Sequence, residues 1–180
     1  MSGENKRKAE NEADSHESKE TKCEGAMDFE NCPAIQLSPY LYFNGNCQEA
    51  VDFYVKVFDG KIDMIQKYGN APDGGPDAAS KDLIMHASIS IDGTKIMFSD
   101  HSEEMLGSFN QGSNVHLSYF FKDHGRQRKV FAALSEGGNV TMPLANQFWN
   151  SFFGTVTDKF GVHWMLSGPP AAKEDESEAN

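Results

Sequence analysis

Three histidines lie in segments typical of β-strands, and each could bring an imidazole to a binding site. His86 stands between Met85 and Ala87, His116 between Val115 and Leu117, and His163 between Val162 and Trp164. An imidazole ionises near neutral pH, so it can serve as acid, base, metal ligand or ligand anchor. His86 is the candidate catalytic residue, although no nucleophile adjoins it. The alternative is a structural imidazole that ties neighbouring strands or a dimer interface together.

The alternation of side chains along the strands determines which residues accompany these histidines. In residues 83–91 the apolar positions Leu83, Met85, Ala87, Ile89 and Ile91 share one face, and the other face carries Ile84, His86, Ser88 and Ser90. The strand at 115–121 alternates in the same way. Its apolar face carries Val115, Leu117, Tyr119 and Phe121, and its other face carries His116, Ser118 and Phe120. His163 and Met165 alternate with Val162, Trp164 and Leu166, which makes Trp164 a core residue.

These strands belong to a pattern that occurs twice. In the first pass, residues 35–43 predict a strand, Asn46 and Glu49 predict the start of a helix, and Gly60 predicts its left-handed end. The helix carries the apolar stripe Ala50, Phe53, Tyr54, Val57 and Phe58. Strands at 61–68, 83–91 and 94–100 follow, the last two joined by the turn Asp92-Gly93.

The second pass has the same order, with a strand at 115–121, a helix at 125–136 and strands at 139–143, 152–157 and 162–166. An offset of 77 residues superposes the two passes, with Tyr42 on Tyr119 and Phe43 on Phe120. The fold class is therefore α+β, with two paired βαβββ modules that form a curved mixed sheet around a central cavity. We expect the first module at about 35–100 and the second at about 114–167.

The cavity predicts a ligand site. Its expected lining combines histidine, serine and methionine side chains: His86, Ser88, Met97, His116, Ser118 and Met165. Trp149 follows a strand and could form an aromatic wall at the entrance. Packing of Trp149 on the rim of the sheet is the alternative.

Charge and composition restrict the partners. The sequence has 16 Lys and Arg against 27 Asp and Glu, a formal net charge of −11 at pH 7. Phosphate backbones and anionic membranes would not attract such a protein, so we expect neither nucleic acid nor membrane as a partner. No apolar run approaches the ~18 residues of a membrane-spanning helix, and the first residues are charged where a signal peptide is apolar. We expect a cytoplasmic location, with the nucleus as the alternative because of the basic run Lys6-Arg7-Lys8.

Domain organisation follows from where the charge lies. Residues 1–32 and 169–180 are rich in charge and poor in aromatic residues, so both predict disordered acidic tails around one domain at 33–168. The three cysteines, Cys23, Cys32 and Cys47, are odd in number and lack CxxC spacing, so the sequence supports neither a disulfide framework nor a zinc knuckle. Phosphate-binding, GxSxG and HExxH motifs are absent as well.

Four spaced motifs together resemble the PhnB-like branch of the vicinal oxygen chelate superfamily, which includes glyoxalase I, the bleomycin-resistance proteins and extradiol dioxygenases. The resemblance covers residues 34–167. The motifs are Pro39-Tyr40-Leu41-x-Phe43-Asn44-Gly45-Asn46-Cys47-x-Glu49-Ala50-x-x-Phe53-Tyr54, Met85-His86-Ala87, Met142-Pro143 with Gln147-Phe148-Trp149, and Asp158-x-Phe160-Gly161-x-x-Trp164.

The resemblance implies a metal site in many members, but this chain departs from it. Those members use two His or Gln residues on the first strands of the modules and two Glu residues on the last strands. Here His116 fits, whereas Pro39, Met97 and Met165 stand at the other positions. A thioether is a poor ligand for hard or borderline divalent ions. We therefore expect no metal and no cofactor.

Three functions stay open from the sequence. The leading hypothesis is binding of a small, partly apolar molecule in the cavity, in a homodimer, since two-module members of the superfamily commonly pair their modules across subunits. The second is a metal-dependent glyoxalase, lyase or dioxygenase with a rearranged His86, His116 and Asp100 site, to which His163 could contribute. The third is a non-catalytic interaction module whose acidic tails contact a basic partner.

Overall fold

The computed structural model describes residues 37–71 and 80–172. The first module consists of β1 (Tyr40–Phe43), α1 (Cys47–Phe58), β2 (Lys61–Lys67), a 3₁₀ turn (Tyr68–Asn70), β3 (Ile84–Ile91) and β4 (Thr94–Asp100). A short helix, α2 (Glu103–Leu106), precedes the second module. That module consists of β5 (Leu117–Phe120), α3 (His124–Ser135), β6 (Asn139–Gln147), β7 (Ser151–Thr157) and β8 (His163–Gly168).

Each module forms its own four-stranded mixed sheet. The first sheet has the order β1-β4-β3-β2, and the second has the order β5-β8-β7-β6. The first strand of each module pairs in parallel with the last, and the remaining neighbours are antiparallel. The predicted α+β class and the two βαβββ modules are confirmed.

Several predictions lie outside the described residues. These are the tail 1–32, residues 173–180 of the second tail, Cys23 and Cys32. Ala171, within the range predicted as a tail, is buried, and its backbone exchanges two hydrogen bonds with the side chain of Asn146. Cys47 is a buried free thiol whose pKa is raised, mainly by burial. In the part of the chain that is described, no helix is long and apolar enough to cross a bilayer.

Helix α1 lies at the centre of the core. Ala50, Val51, Tyr54 and Phe58 are buried on it, at spacings of three and four residues that bring them onto one side of a helix. Phe53 and Val57, predicted for the same stripe, are only partly buried. The ring of Phe58 lies 4.9 Å from that of Trp164, so α1 packs against the second module as well as its own sheet. The prediction that Trp164 is a core residue is confirmed.

The predicted ends of α1 are wrong in two details. Asn46 makes no side-chain capping bond; instead Oδ1 of Asp100, at the end of β4, accepts a hydrogen bond of 3.0 Å from the Cys47 amide. The left-handed residue after the helix is Asp59, with φ of 55°, rather than Gly60. Gly60 instead packs closely, because a Cβ there would lie 3.1 Å from Cγ1 of Ile91 and 3.2 Å from the carbonyl oxygen of Ser90.

The predicted offset of 77 residues is also wrong for the first strands. It pairs Phe43, which is 2% exposed, with Phe120, which is 76% exposed. The sheet register places Tyr40 opposite Met97 and Ser118 opposite Met165, which gives an offset of 78 between the first strands. Phe43 then corresponds to Phe121, which is also buried.

Candidate functional site

The outer face of the first sheet is the face that α1 does not cover. We define it by Tyr40, Tyr42, Met64, His86, Ser88, Met97 and Ser99. These side chains alternate with the buried residues Phe43, Ala87 and Phe98. Met97 lies between Tyr40 and Ser88 across the strands, and Ser88 lies next to Met64. His86, Ser88 and Met97 therefore share one surface, as predicted from the alternation.

A polar contact joins two aromatic side chains on this face. The hydroxyl of Tyr40 lies 3.0 Å from Nδ1 of His86, with the ring centroids 5.6 Å apart. Burial, and secondly the charge of Lys95, lowers the pKa of His86 below its ordinary value. Burial raises the pKa of Tyr40. Both shifts favour the uncharged forms, because a charge is poorly solvated there.

The outer face of the second sheet carries the other half of the predicted lining. We define it by Ser118, Phe120, Phe153, Thr155, His163, Met165 and Ser167. Met165 lies between Ser118 and Thr155 across the strands, and Ser167 lies between Phe120 and Phe153. The ring of His116 stacks on His163 at 4.8 Å, and Nδ1 of His163 lies 2.8 Å from the hydroxyl of Thr157. His116, Ser118 and Met165 are thus neighbours on this face.

The two outer faces do not meet within one chain. The modules contact each other through the sides that carry the helices: Tyr54 of α1 donates a hydrogen bond of 2.7 Å to Asp158, and Phe58 contacts both Trp164 and Tyr119. Large side chains of both outer faces remain in solvent, with Tyr42 45% exposed and Phe120 76% exposed. A single chain therefore supplies two half-sites rather than one enclosed site.

Trp149 lies in the turn between β6 and β7. It is half-exposed, and its ring is 5.7 Å from that of Phe153, in an edge-on arrangement. Since Phe153 belongs to the outer face of the second sheet, Trp149 stands at the end of that face. This position is compatible with the predicted aromatic wall.

The residues at the family's metal positions do not fit a divalent ion. Met97 and Met165 occupy equivalent places in the two sheets, opposite Tyr40 and Ser118. With the corrected offset, the first-module counterpart of His116 is Ser38 rather than Pro39. Thioethers and a single imidazole are a poor set of ligands for the ions that such sites hold.

The rearranged set of His86, His116 and Asp100 is not assembled in a single chain either. His86 and His116 lie on different sheets, while Asp100 is buried and accepts hydrogen bonds from the amides of Cys47 and Ile84. Across residues 37–71 and 80–172, no group of three or more His, Cys, Asp or Glu side chains could hold a metal ion.

Among the cavities that the described residues form, two can be compared with these faces. One, of about 450 Å³, lies between the modules, is bounded by residues such as Asn46, Asn139 and Lys159, and includes none of the predicted site residues. The other, of about 480 Å³, reaches Ser118 and Phe120 from the side of Arg126 and Asp92. Only the second cavity is continuous with a predicted half-site.

Sequence reasoning missed Tyr40, Tyr42 and Ser99 as site residues, and it did not include His163 in the ligand set. The alternation within Tyr40–Phe43 was a usable signal. Side chains alternate along a strand, so a buried Phe43 places both Tyr40 and Tyr42 on the other face. The contact between Tyr40 and His86 depends on β4 lying between their strands, which no local pattern indicates.

Comparison with known proteins extends over the whole described domain. The sequence model of the family described as 3-demethylubiquinone-9 3-methyltransferase matches residues 35–167. Protein YjdN of Escherichia coli K12 is 32% identical over 142 residues, which cover 74% of this chain and 95% of that protein.

Solved structures are similar to this chain over most of its length. Protein PA1353 from Pseudomonas aeruginosa superposes with a TM-score of 0.70 and 34% identity, over 77% of this chain and 100% of that chain. A Bacillus cereus protein described as a putative 3-demethylubiquinone-9 3-methyltransferase, PhnB protein, superposes with a TM-score of 0.61 and 25% identity, over 74% and 99% of the two chains.

Proposed function

Since the chain belongs to the PhnB-like branch of the vicinal oxygen chelate superfamily, we propose that it binds a small, partly apolar molecule without the metal quartet of its metal-dependent relatives. The site is formed by two copies of the chain, with the outer face of the first sheet of one copy placed over the outer face of the second sheet of the other. His86, Ser88 and Met97 would line one side, and His116, Ser118 and Met165 the other, with Trp149 near the entrance.

The exposure of large apolar side chains on both half-sites carries this proposal. Phe120, Tyr42 and Met64 are all at least 41% exposed, although they lie on otherwise well-packed sheets. Burial of apolar surface stabilises an assembly by roughly 25 cal/mol per Å², so these side chains favour association. A twofold homodimer would cover all four outer faces, because the outer face of the first sheet in each chain would meet the outer face of the second sheet in the other chain.

The chemistry of the half-sites supports a ligand rather than a closed protein interface. Between the aromatic and methionine side chains lie hydroxyl and imidazole groups, such as Ser118 and His86, that could orient a small molecule, whereas Ser88 is only 4% exposed. The net charge of −11 gives nonspecific binding to nucleic acid or to anionic membranes no electrostatic driving force, so we expect neither as a partner. We expect the protein to act in the cytoplasm, with the nucleus as the alternative.

Two measurements test this proposal. Analytical ultracentrifugation of the full chain should give a homodimer, and Phe120→Asp should shift it toward monomer because the charge would be buried in the interface. Leu106→Asp is the matched control: Leu106 is also an exposed apolar residue, but it lies on α2 rather than on a strand of either sheet. A monomeric wild type, or equal effects of the two variants, would contradict the shared site.

The second measurement is a thermal-shift screen of small molecules, with S-adenosylmethionine included because the family description names a methyltransferase. A ligand present at 100 times its Kd stabilises the folded protein by about 2.7 kcal/mol, which gives a shift of several degrees. Binding should weaken in Ser118→Arg, which fills the second half-site. If no compound raised the melting temperature of the dimer at saturating concentration, ligand binding would be ruled out as its role.

A further inference from the structure

We propose that the first half-site holds its ligand by an oxygen acceptor, such as a carbonyl or carboxylate oxygen, which accepts a hydrogen bond from the Nε2–H of His86, and that Tyr40 is the positioning residue that fixes this tautomer. The inference rests on the proposed function and names the ligand class for that site. It follows from the contact between Tyr40 and His86, the apolar side chains beside it and the charges around it.

The first step is the hydrogen bond itself. The Tyr40 hydroxyl lies 3.0 Å from Nδ1 of His86. A neutral imidazole has one nitrogen that donates and one that accepts. When the hydroxyl donates to Nδ1, the imidazole proton resides on Nε2. Within the described residues, Nε2 of His86 has no hydrogen-bond partner, so its N–H is available to a ligand.

The second step is the charge state of the pair. The burial that lowers the pKa of His86 keeps the ring neutral, and the burial that raises the pKa of Tyr40 keeps its hydroxyl protonated. Besides burial, the charge of Lys95 on β4 acts on the pKa of His86. The titratable groups Tyr42, Cys47 and Tyr68 act on the pKa of Tyr40, whose hydroxyl also hydrogen-bonds the side chain of Ser99. On β2, Asp63 is engaged by the Ser90 hydroxyl, and no described carboxylate forms an ion pair with His86.

The third step is selectivity. An N–H group can bind an oxygen acceptor but cannot bind an ammonium group, and the positive charge of Lys95 also opposes a cation. Ser88 lies between Met97 and Met64 in one row across the sheet. The thioether side chains offer an apolar surface next to the donor. The favoured ligand therefore combines an oxygen acceptor with an apolar body, and a protonated amine is disfavoured.

The tautomer is measured by nitrogen-15 NMR of the histidine side chains in the full chain. In the wild type at pH 7.5 the Nε2–H form of His86 should predominate, and Tyr40→Phe should shift the ring toward the other tautomer. Tyr42→Phe is the matched control, since its ring is 5.0 Å from that of Tyr40 but it makes no hydrogen bond to His86. A predominant Nδ1–H form in the wild type, or an unchanged tautomer in Tyr40→Phe, would overturn the assignment.

The ligand class is tested with three probes that share one ring: benzoate, benzamide and benzylamine. Benzoate and benzamide should shift the His86 signals to saturation, and Tyr40→Phe should weaken their binding roughly threefold to tenfold, as expected for one hydrogen bond. Benzylamine should not compete. If benzylamine bound equally well, or if neither oxygen probe moved the His86 signals, the ligand class would be wrong.

Failure here can be told apart from failure of the proposed function. A dimer that is stabilised in the thermal screen only by compounds without an oxygen acceptor would retain the binding function and overturn this inference. A chain that stays monomeric and that no compound stabilises would overturn the proposed function, while the tautomer of His86 would still be measured directly.

Discussion

The hydroxyl of Tyr54, on α1 of the first module, donates a hydrogen bond of 2.7 Å to Oδ2 of Asp158, in the turn between β7 and β8 of the second module. The same carboxylate accepts hydrogen bonds from Nε1 of Trp164 and from the amides of Phe160 and Val162. Asp158 is buried, so these donors satisfy a charge that water does not reach. The contact fixes the two modules side by side and determines which sheet faces remain open.

Replacement of Asp158 tests this role. In Asp158→Asn the amide group must face at least one N–H or O–H donor, and we expect the free energy of unfolding to fall by about 2–4 kcal/mol. Asp52→Asn, which changes an exposed carboxylate on α1, is the control and should alter stability by less than about 0.5 kcal/mol. Urea unfolding measures both. Equal stabilities of the two variants would show that Asp158 does not hold the modules together.

The start of α1 gives a second prediction. Asp100 accepts hydrogen bonds from the Cys47 and Ile84 amides, whereas the side chain of Asn46 makes no capping bond. Asp100→Ala leaves both amides without their acceptor, so we expect it to destabilise the fold by about 1–3 kcal/mol. Asn46→Ala should stay within about 0.5 kcal/mol of the wild type. If instead Asn46→Ala were the more damaging change, the helix would be capped as its sequence suggests.

A third prediction concerns pH and the link between the β3–β4 turn and the second module. Asp92 accepts hydrogen bonds from the Tyr119 hydroxyl and from Nη2 of Arg126. The hydrogen bond from Tyr119, and secondly that from Arg126, lowers the pKa of Asp92. Burial, and secondly the hydrogen bond to Asp92, raises the pKa of Tyr119 to about 12. A carboxyl group whose pKa is lowered on folding stabilises the folded protein above its ordinary pKa and loses that contribution as it is protonated.

The melting temperature of Asp92→Asn should therefore lie below that of the wild type at pH 7, and the difference should shrink as the pH falls below about 4. Asparagine tolerates the left-handed backbone at this position, where φ is 45°, so backbone strain does not confuse the comparison. Calorimetry across this pH range measures the effect. A difference that stayed constant with pH would argue that ionisation of Asp92 has no part in the contact.

Titration of His86 gives a fourth prediction. Its pKa should lie below the ordinary value of about 6.5, chiefly because of burial and secondly because of Lys95. Lys95→Gln should raise the pKa only in part, since burial remains. Lys61→Gln is the control, because Lys61 and Lys95 flank Ser90 from the two neighbouring strands, but only Lys95 contributes to the shift of the His86 pKa. Proton NMR titration follows each histidine, and a pKa of His86 unaffected by Lys95→Gln would remove Lys95 as a cause.

The sequence predicts the repeated modules well because their signals are local. The alternation of Ile89 with Ser88 and of Trp164 with His163 assigns each strand a core face, and the turn at Asp92-Gly93 marks the hairpin. The structure confirms these assignments from Ala87 onward, but not at the start of the strand. There Ile84 is buried in the core, while Leu83 and Met85, predicted for the core face, are only partly buried, because the pairing of β2 with β3 shifts register at this point.

The parts that failed depend on contacts between distant residues. Asn46 has the residue type of a helix cap, but its side chain accepts no hydrogen bond from an amide of the helix, and the first amide, that of Cys47, is instead bound by Asp100 from 53 residues away. The 77-residue offset relied on similar side chains, whereas burial aligns Phe43 with Phe121. The arrangement of the two half-sites on separate outer faces follows from contacts such as that of Tyr54 with Asp158, which a periodic pattern cannot encode.

Mixing of two variants tests the shared site most directly. His86→Ala damages the first half-site and Ser118→Arg the second, so each homodimer should lose binding of the compound that most stabilises the wild type. When the two are unfolded and refolded together, random pairing should restore about a quarter of the sites, because each mixed dimer holds one intact pair of faces. Recovery of that fraction in a calorimetric titration is the expected result. Two dimeric variants that recover no binding on mixing would place the site within a single chain and contradict the account.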